Sequence, residues 1–420
     1  MAMHRRHFIG AAFAGAALIS APMLRAQGRP RVVVVGGGAG GATVARYLAK
    51  DSAGALDVVL VEPNRVYRSC FFSNLALADL RSPASLEHRY DRLAADYGIT
   101  VLHDRAVAVD RARREVSLGA GGLLAYDKLV LAPGIDFVPG SVAGWSEADA
   151  EVFPHAYRGG AQVDLLRAQL GAMRQGGTFA LVAPPNPYRC PPGPYERVSM
   201  VASLLGRINP TAKILLLDPK ATFSKQALFE EGWARHYPGV VERIGPDAGG
   251  AAVEVRPAAG EIVVAGAVVR VDVCNVIPAQ RAGAIAEAAG LTEAGWVPVE
   301  PLALASKADP AVHVLGDSAA QGDMPKSGFS ANSQAKVVAN AIRAALTGSR
   351  AFPPRYTNTC WSAIAPGDGV KVGASYTAGE GKIATGEGFI SQVGETAELR
   401  AATYAESFAW YDAISEDIFG

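Results

Sequence analysis

The sequence predicts an α/β fold with two strand–helix halves of dinucleotide-binding type and a separate C-terminal segment, on three observations. Val32–Val35 is a short run of β-branched apolar residues, the composition of a parallel strand buried on both faces. It runs directly into Gly36-x-Gly38-x-x-Gly41, after which a helix is expected over Thr43–Lys50 and a second strand over Asp57–Val61, ending in Glu62. Further on, a helix expected over Val163–Met173 and strands over Thr178–Ala183 and Lys213–Asp218 begin the same alternation again.

In the first half each residue type has a physical task. Gly36 permits the tight turn, Gly38 lets backbone approach a pyrophosphate, and Gly41 lets the helix pack on the strand, while the helix N-terminus faces the phosphates. Glu62, roughly 20 residues on, can accept a hydrogen bond from a ribose hydroxyl. The arrangement points to a bound dinucleotide without saying which.

The chain has 420 residues, the length of two or three domains, and at 50% hydrophobic and 19% charged it can bury a large core. The formal charge is zero and no basic stripe is present, which argues against a nucleic-acid partner. No apolar run reaches the ~18 residues of a membrane-spanning helix. Met1–Ala26 carries Arg5-Arg6, Phe8-Ile9, an alanine-rich stretch and Leu24-Arg25-Ala26. This reads as a twin-arginine export signal, a route for folded proteins with cofactors seated, so a periplasmic location is expected. An anchoring helix is the alternative, opposed by the shortness of the run and by Pro22. The four cysteines, Cys70, Cys190, Cys274 and Cys360, form no C-x-x-C, no C-x-x-C-H and no zinc spacing. A covalent haem site in this chain is thereby excluded.

Past Glu62, proline and polar residues mark a loop holding Cys70, which is either a small buried hydrophobe or, if the dinucleotide is FAD, a candidate for covalent attachment. A helix over Tyr90–Tyr97, a strand over Gly98–Leu102, a hairpin of Ala106–Asp110 with Glu115–Leu118, and a strand over Tyr126–Ala132 complete the first segment. After Thr178–Ala183, where a second glycine motif belongs, the chain has Pro184, Pro185, Pro187, Pro191, Pro192 and Pro194. Proline removes backbone donors and fixes φ, so this half is expected to have the nucleotide-binding shape without binding NAD(P). In place of the cradle the loop offers Cys190 and then Glu196, which opens a helix over Arg197–Leu205. Glu196 is either an acid beside the chemistry or a plain first-turn acid stabilised by the dipole.

A helix over Phe223–Tyr237, paired strands over Val253–Val269 and a strand over Asp272–Ile277 follow, with Cys274 as a core thiol. Ala311–Ala319 ends in Gly316-Asp317, the kind of strand-end acid that binds the ribityl or pyrophosphate part of FAD. A helix from about Ser330 can turn its N-terminus to the flavin, with Lys326 either a cation near it or a solvated lysine. Gly369–Tyr376 alternates as a strand, and Glu406–Gly420 reads as a short amphipathic helix with an acidic face.

VVVVGGGAGGATVARYL, the Cys70 loop, PPNPYRCPPGPYERVSM, NVIPAQRAG, HVLGDSA and NTCWSAIAPGDGVKVGASY together resemble the flavoprotein subunits of flavocytochrome c sulfide dehydrogenases. The resemblance implies a glutathione-reductase-like flavoprotein with two Rossmann-like domains. FAD would be bound by 30–154 and 275–348, 155–274 would be the second dinucleotide-type domain, and 349–420 a C-terminal interface domain. It implies FAD held by Gly36, Gly38, Gly41, Glu62, Gly316 and Asp317, an 8α-S-cysteinyl link at Cys70, and a redox-active disulfide of Cys190 and Cys360 with Glu196 beside it. The implied substrate is sulfide and the implied partner a c-type cytochrome subunit. Ala132-Pro133-Gly134 and the extra Cys274 depart from the family pattern away from that chemistry. The alternatives are a sulfide:quinone oxidoreductase, an NAD(P)H-dependent disulfide reductase, a non-catalytic electron-transfer flavoprotein, and, for the two cysteines, a purely structural cross-link.

Overall fold

The computed structural model describes residues 28–420, so the export signal expected over Met1–Ala26 lies outside the described residues. In chain order, β1 (Arg31–Val35) passes through the glycine turn into α1 (Ala39–Ser52), and β2 (Asp57–Val61) returns beside it. The Cys70 loop leads to the short helix α2 (Ser73–Leu77), then come β3 (Thr100–Leu102) and β4 (Lys128–Leu131). The second half holds β5 (Thr178–Val182), α3 (Gly193–Ile208), β6 (Lys213–Leu217), α4 (Gln226–His236), β7 (Val241–Ile244) and β8 (Val273–Val276). The chain then returns through β9 (Asp309–Val314) and α5 (Gly328–Thr347). It ends in β10 (Tyr356–Ala365), β11 (Asp368–Ala378), β12 (Ile383–Ile390) and α6 (Ala397–Phe419).

Two parallel sheets carry the two halves. The first runs β9-β4-β1-β2-β3, with Ala305–Ser306 added antiparallel on the β9 edge; the second runs β7-β6-β5-β8. In each, the glycine or proline loop leaves the C-terminal end of a strand whose neighbours lie on opposite sides: β1 between β2 and β4, β5 between β6 and β8. Those are the switch points at which open α/β sheets bind ligands. Each sheet has its own core, Val32–Val35 and Val58–Val61 in one, Phe179–Val182 with Cys274 in the other. The apolar runs read as double-sided strands are buried on both faces, since helices cover both.

The C-terminal part differs from the expectation. The helix expected over Glu406–Gly420 is the 23-residue α6, begun by Thr396, whose hydroxyl accepts from the Leu399 N–H. Its buried stripe is Arg400, Thr403, Ser407, Tyr411, Ile414 and Ile418, and its first half is polar. A hydrophobic-period reading misses a face whose anchor is a 1% exposed arginine held by Glu231, Asp368 and Glu395. β10, unassigned from sequence, pairs with β11 so that Cys360 stands opposite Val372. α3 begins at Gly193, so Glu196 lies inside its first turn and does not precede the helix. Among the described residues no helix is long and apolar enough to cross a membrane.

Candidate active site

The glycine turn is built around close contacts. A Cβ on Gly41 would lie 1.7 Å from the Gly36 carbonyl oxygen, so this glycine is required by packing alone. Gly38 is different: a Cβ there would meet only the Tyr67 ring, at 3.5 Å, leaving the backbone open to a phosphate. Glu62, 9% exposed at the end of β2, turns back over the loop and accepts from the Gly37 N–H at 2.8 Å. Gly316 and Asp317 follow β9, and Asp317 Oδ1 is buried with no hydrogen-bond partner among the described residues. Burial pushes the Asp317 carboxyl up, against the pull of Arg189 and Lys326. An open glycine cradle, an acid at the end of β2 and an orphaned carboxylate oxygen after β9 fit a dinucleotide such as FAD.

A cavity of about 100 Å³ is lined by Cys70, Cys190, Cys360 and Glu196 among others. Segments far apart in the chain meet here. Cys70 comes from the loop after β2, Cys190 and Glu196 from the proline loop and first turn of α3, Cys360 from β10, and Ser327 and Gly328 from the start of α5. Cys190 has left-handed backbone, φ +57°, which costs about 1–2 kcal/mol for a residue with a Cβ. It is held there by its N–H donating to the Lys326 carbonyl at 2.7 Å and its carbonyl accepting from the Gly193 N–H at 2.7 Å and the Tyr157 hydroxyl at 3.1 Å. Gly193 is needed for this geometry, since a Cβ would sit 3.0 Å from Cys190 Sγ and 2.8 Å from the Tyr157 hydroxyl.

Glu196 accepts from the Ala363 N–H of β10 at 2.9 Å and from Asn74 Nδ2 at 2.7 Å, and burial raises its pKa against those bonds and against Lys225 and Arg197. Asn74 in turn accepts from Arg197 Nε at 3.0 Å. Arg197, 2% exposed and without a carboxylate ion pair among the described residues, is pulled down to about 10 by burial and spends its other donors on Asn275 and on the His155 and Ala156 carbonyls. Lys225, 5% exposed at the start of α4, donates to the Cys360 carbonyl at 3.0 Å and to Ser362 Oγ at 2.8 Å. Burial lowers it to about 8, with Cys360, Glu196 and Cys190 opposing. Burial pushes the Cys190 thiol well up, and Cys360, Glu196 and Cys70 add to the effect. Across the cavity Trp361 and Trp410 stack at 5.0 Å.

The structure brings Cys70, Cys190, Cys360 and Glu196 to one cavity, with Cys190 and Cys360 as free thiols and not the expected disulfide, and puts Gly36, Gly38, Gly41, Glu62, Gly316 and Asp317 around the first switch point. Lys326 is elsewhere: its ammonium donates to the Asp317 and Ala319 carbonyls at 2.7 Å and lies 3.7 Å over the Trp296 ring, outside the cysteine cavity. It is not solvated: it is buried beside Asp317, and its carbonyl reaches the cysteine site on the Cys190 N–H. Cys274 is fully buried in the second core. No local pattern marks Asn74, Arg197 or Lys225, because the partners of a buried polar residue lie on other elements.

His155, beside this network, is 5% exposed, and its Nδ1 accepts from the Tyr157 N–H at 3.0 Å. Burial first, then Arg158, Arg197 and Arg189, lowers it to about 3. The unfolded chain therefore binds the extra proton from about pH 6.5 downward, and stability falls with pH in that window, by about 2 kcal/mol between pH 7 and pH 5. In His155→Asn, which keeps an acceptor for Tyr157 but does not titrate, that part of the loss is expected to vanish. Urea midpoints at the two pH values check it; an unaltered pH dependence refutes it.

Comparison with known proteins places this geometry. Residues 30–158 match the profile of pyridine nucleotide-disulphide oxidoreductases, residues 163–278 that of the central part of the sulfide dehydrogenase [flavocytochrome c] flavoprotein chain, and residues 352–419 that of the flavocytochrome c sulphide dehydrogenase flavin-binding region. A sulfide dehydrogenase [flavocytochrome c] flavoprotein chain of Chlorobaculum thiosulfatiphilum is 53% identical over 47 residues, 11% of this chain and 96% of that relative. In fold, the chain is similar to the sulfide:quinone oxidoreductase of Aquifex aeolicus, with a TM-score of 0.68 at 15% identity over 93% of this chain and 92% of that one. It is also similar to a ferredoxin reductase from Rhodopseudomonas palustris, with a TM-score of 0.65 at 19% identity over 82% of each chain. The two-sheet Rossmann-like architecture is thus that of FAD-dependent oxidoreductases. On the central and flavin-binding matches and the Chlorobaculum relative, the chain belongs to the family of flavocytochrome c sulfide dehydrogenase flavoprotein chains.

Proposed function

We propose that the protein oxidises sulfide at a Cys190–Cys360 disulfide beside FAD, with the flavin attached through Cys70, and passes the electrons to a c-type cytochrome subunit in the periplasm. The observation that carries this reading is the convergence of Cys70, Cys190, Cys360 and Glu196 on one cavity. When bound, FAD supplies a two-electron acceptor that can release its electrons singly. The chain's own residues do the rest. Hydrosulfide opens the disulfide by thiol–disulfide exchange, forming one S–S bond and breaking another, so that one cysteine becomes a persulfide and the other a thiolate. Glu196, held protonated more readily by burial and fixed by Asn74 and the Ala363 N–H, serves as the proton store. The haem belongs to another chain, because C-x-x-C-H does not occur in this one.

The NAD(P)H-dependent alternative is opposed by the second half itself. At the end of β6, where a ribose-binding acid belongs, Asp218 is fully buried and is consumed by Tyr195 at 3.0 Å, Arg243 at 3.0 Å and Lys220 at 2.8 Å. Lys220 also donates to the Pro184 carbonyl at 2.6 Å, which ties the proline loop across the place of a glycine cradle.

The test uses the purified complex under anaerobic conditions. Sulfide is expected to bleach the flavin and reduce the cytochrome, and NADH to do neither. After acid denaturation the yellow colour should stay with the pellet, and the Cys70 peptide should carry the mass of FAD. No bleaching by sulfide, or bleaching by NADH, overturns the proposed activity. Reduction of a liposomal quinone in place of the cytochrome overturns the proposed acceptor, and yellow colour in the supernatant overturns the link.

A further inference from the structure

The two cysteines stand in unlike surroundings. Cys360 Sγ receives a donor: Asn358 Nδ2 lies 3.4 Å away. At its other end the Asn358 Oδ1 accepts from the Ser327 hydroxyl at 2.6 Å, whose oxygen accepts from the Ser330 N–H at 3.0 Å. In that orientation the NH₂ end of Asn358 faces the sulfur, and the contact from the Cys360 thiol to Oδ1 is longer, 3.8 Å. Lys225 adds a charge bonded directly to the Cys360 carbonyl, and it acts on Cys190 as well. Its ammonium uses two of its three donors on the Cys360 carbonyl and Ser362 Oγ and, among the described residues, makes no ion pair. Left-handed backbone at Lys225, φ +62°, aims it there. Cys190 Sγ accepts no hydrogen bond among the described residues, and Cys360, Glu196 and Cys70 disfavour its thiolate while Lys225 favours it.

A disulfide opens toward the sulfur that better bears negative charge, because the leaving thiolate's stability sets the rate and direction. A buried ammonium and an amide N–H are worth most where water is scarce. Resting on the reading of Cys190–Cys360 as the redox pair, we infer that the pair is polarised. Cys360 leaves as the thiolate, held by the Asn358 amide with Lys225 as a positioning residue, and Cys190 takes the incoming sulfur. The step balances without an outside oxidant. Hydrosulfide donates the electron pair of the new bond to Cys190 Sγ, the pair of the broken bond departs on Cys360, and the proton stays on the outer sulfur or passes to Glu196.

The experiment is a rapid quench of the complex with sulfide and iodoacetamide, followed by peptide mass mapping. The extra sulfur is expected on the Cys190 peptide, with Cys360 simply alkylated; an extra sulfur on Cys360 overturns the inference. In the reduced complex, Lys225→Met and Asn358→Ala are each expected to slow alkylation of Cys360 relative to Cys190 by roughly tenfold at pH 7, and Lys225→Arg to restore most of it. An unchanged ratio in both variants overturns the inference. Normalising to Cys190 within one sample separates the effect from a general loosening of the fold. A peptide map of the untreated oxidised complex is the control for the underlying reading. If it contains no Cys190–Cys360 cross-linked peptide, the proposed redox pair fails, whatever the alkylation ratio.

Discussion

Cys190→Ser is expected to lower sulfide-driven flavin bleaching by on the order of 10³-fold or more, since removing a member of a covalent-exchange pair abolishes the step and does not merely slow it. A hydroxyl cannot form the bond that sulfide opens, and Cys360 is left with no partner. The substitution should leave the fold intact. The contacts that hold residue 190 in its left-handed conformation are made by its backbone, to Lys326, Gly193 and Tyr157. Stopped-flow absorbance of the flavin after anaerobic mixing reads the effect, with bound flavin and circular dichroism as controls. Bleaching at the wild-type rate in a variant that retains its flavin would remove Cys190 from the chemistry.

Gly41→Ala is the second large effect. The added methyl would stand 1.7 Å from the Gly36 carbonyl oxygen, a backbone atom that cannot swing aside. Relief requires α1 to move away from β1, and α1 is the helix whose N-terminus the phosphates would face. The expected result is a loss of ~3 kcal/mol or more in unfolding free energy, the upper end of overpacking penalties, together with loss of bound flavin. The ratio of flavin to protein absorbance and a urea titration check both. Gly171→Ala is the matching control, because that helical glycine meets nothing within 4 Å. There the substitution is expected to be neutral or stabilising by up to ~1 kcal/mol. If both alanines behaved alike, the packing argument at Gly41 would fall.

Much of the first half was legible because its signals are local. A β-branched run buried on both faces, a glycine spacing and a strand-end acid lie within Arg31–Glu62, and the strand expected over Asp57–Val61 has those bounds. The proline loop was equally plain, since proline's effect on the backbone needs no neighbour to be understood. The C-terminal region was less legible. Its long helix buries Arg400, Thr403 and Ser407 on the same stripe as Tyr411 and Ile414. That polar half-stripe carries no hydrophobic period to read.

The sequence by itself determined the class of fold, the dinucleotide turn at Gly36–Gly41, the absence of a second such turn and the family resemblance. All of these are written in residue type and spacing along one segment. Only the tertiary structure decided that Cys190 and Cys360, far apart in the chain, share a wall with Cys70 and Glu196. It alone put the Asn358 amide against Cys360 Sγ and the Lys225 ammonium on the Cys360 carbonyl. The physical reason is that periodicity records which face of an element is buried, whereas the chemistry of a cavity depends on which buried polar groups from different elements are forced to satisfy one another.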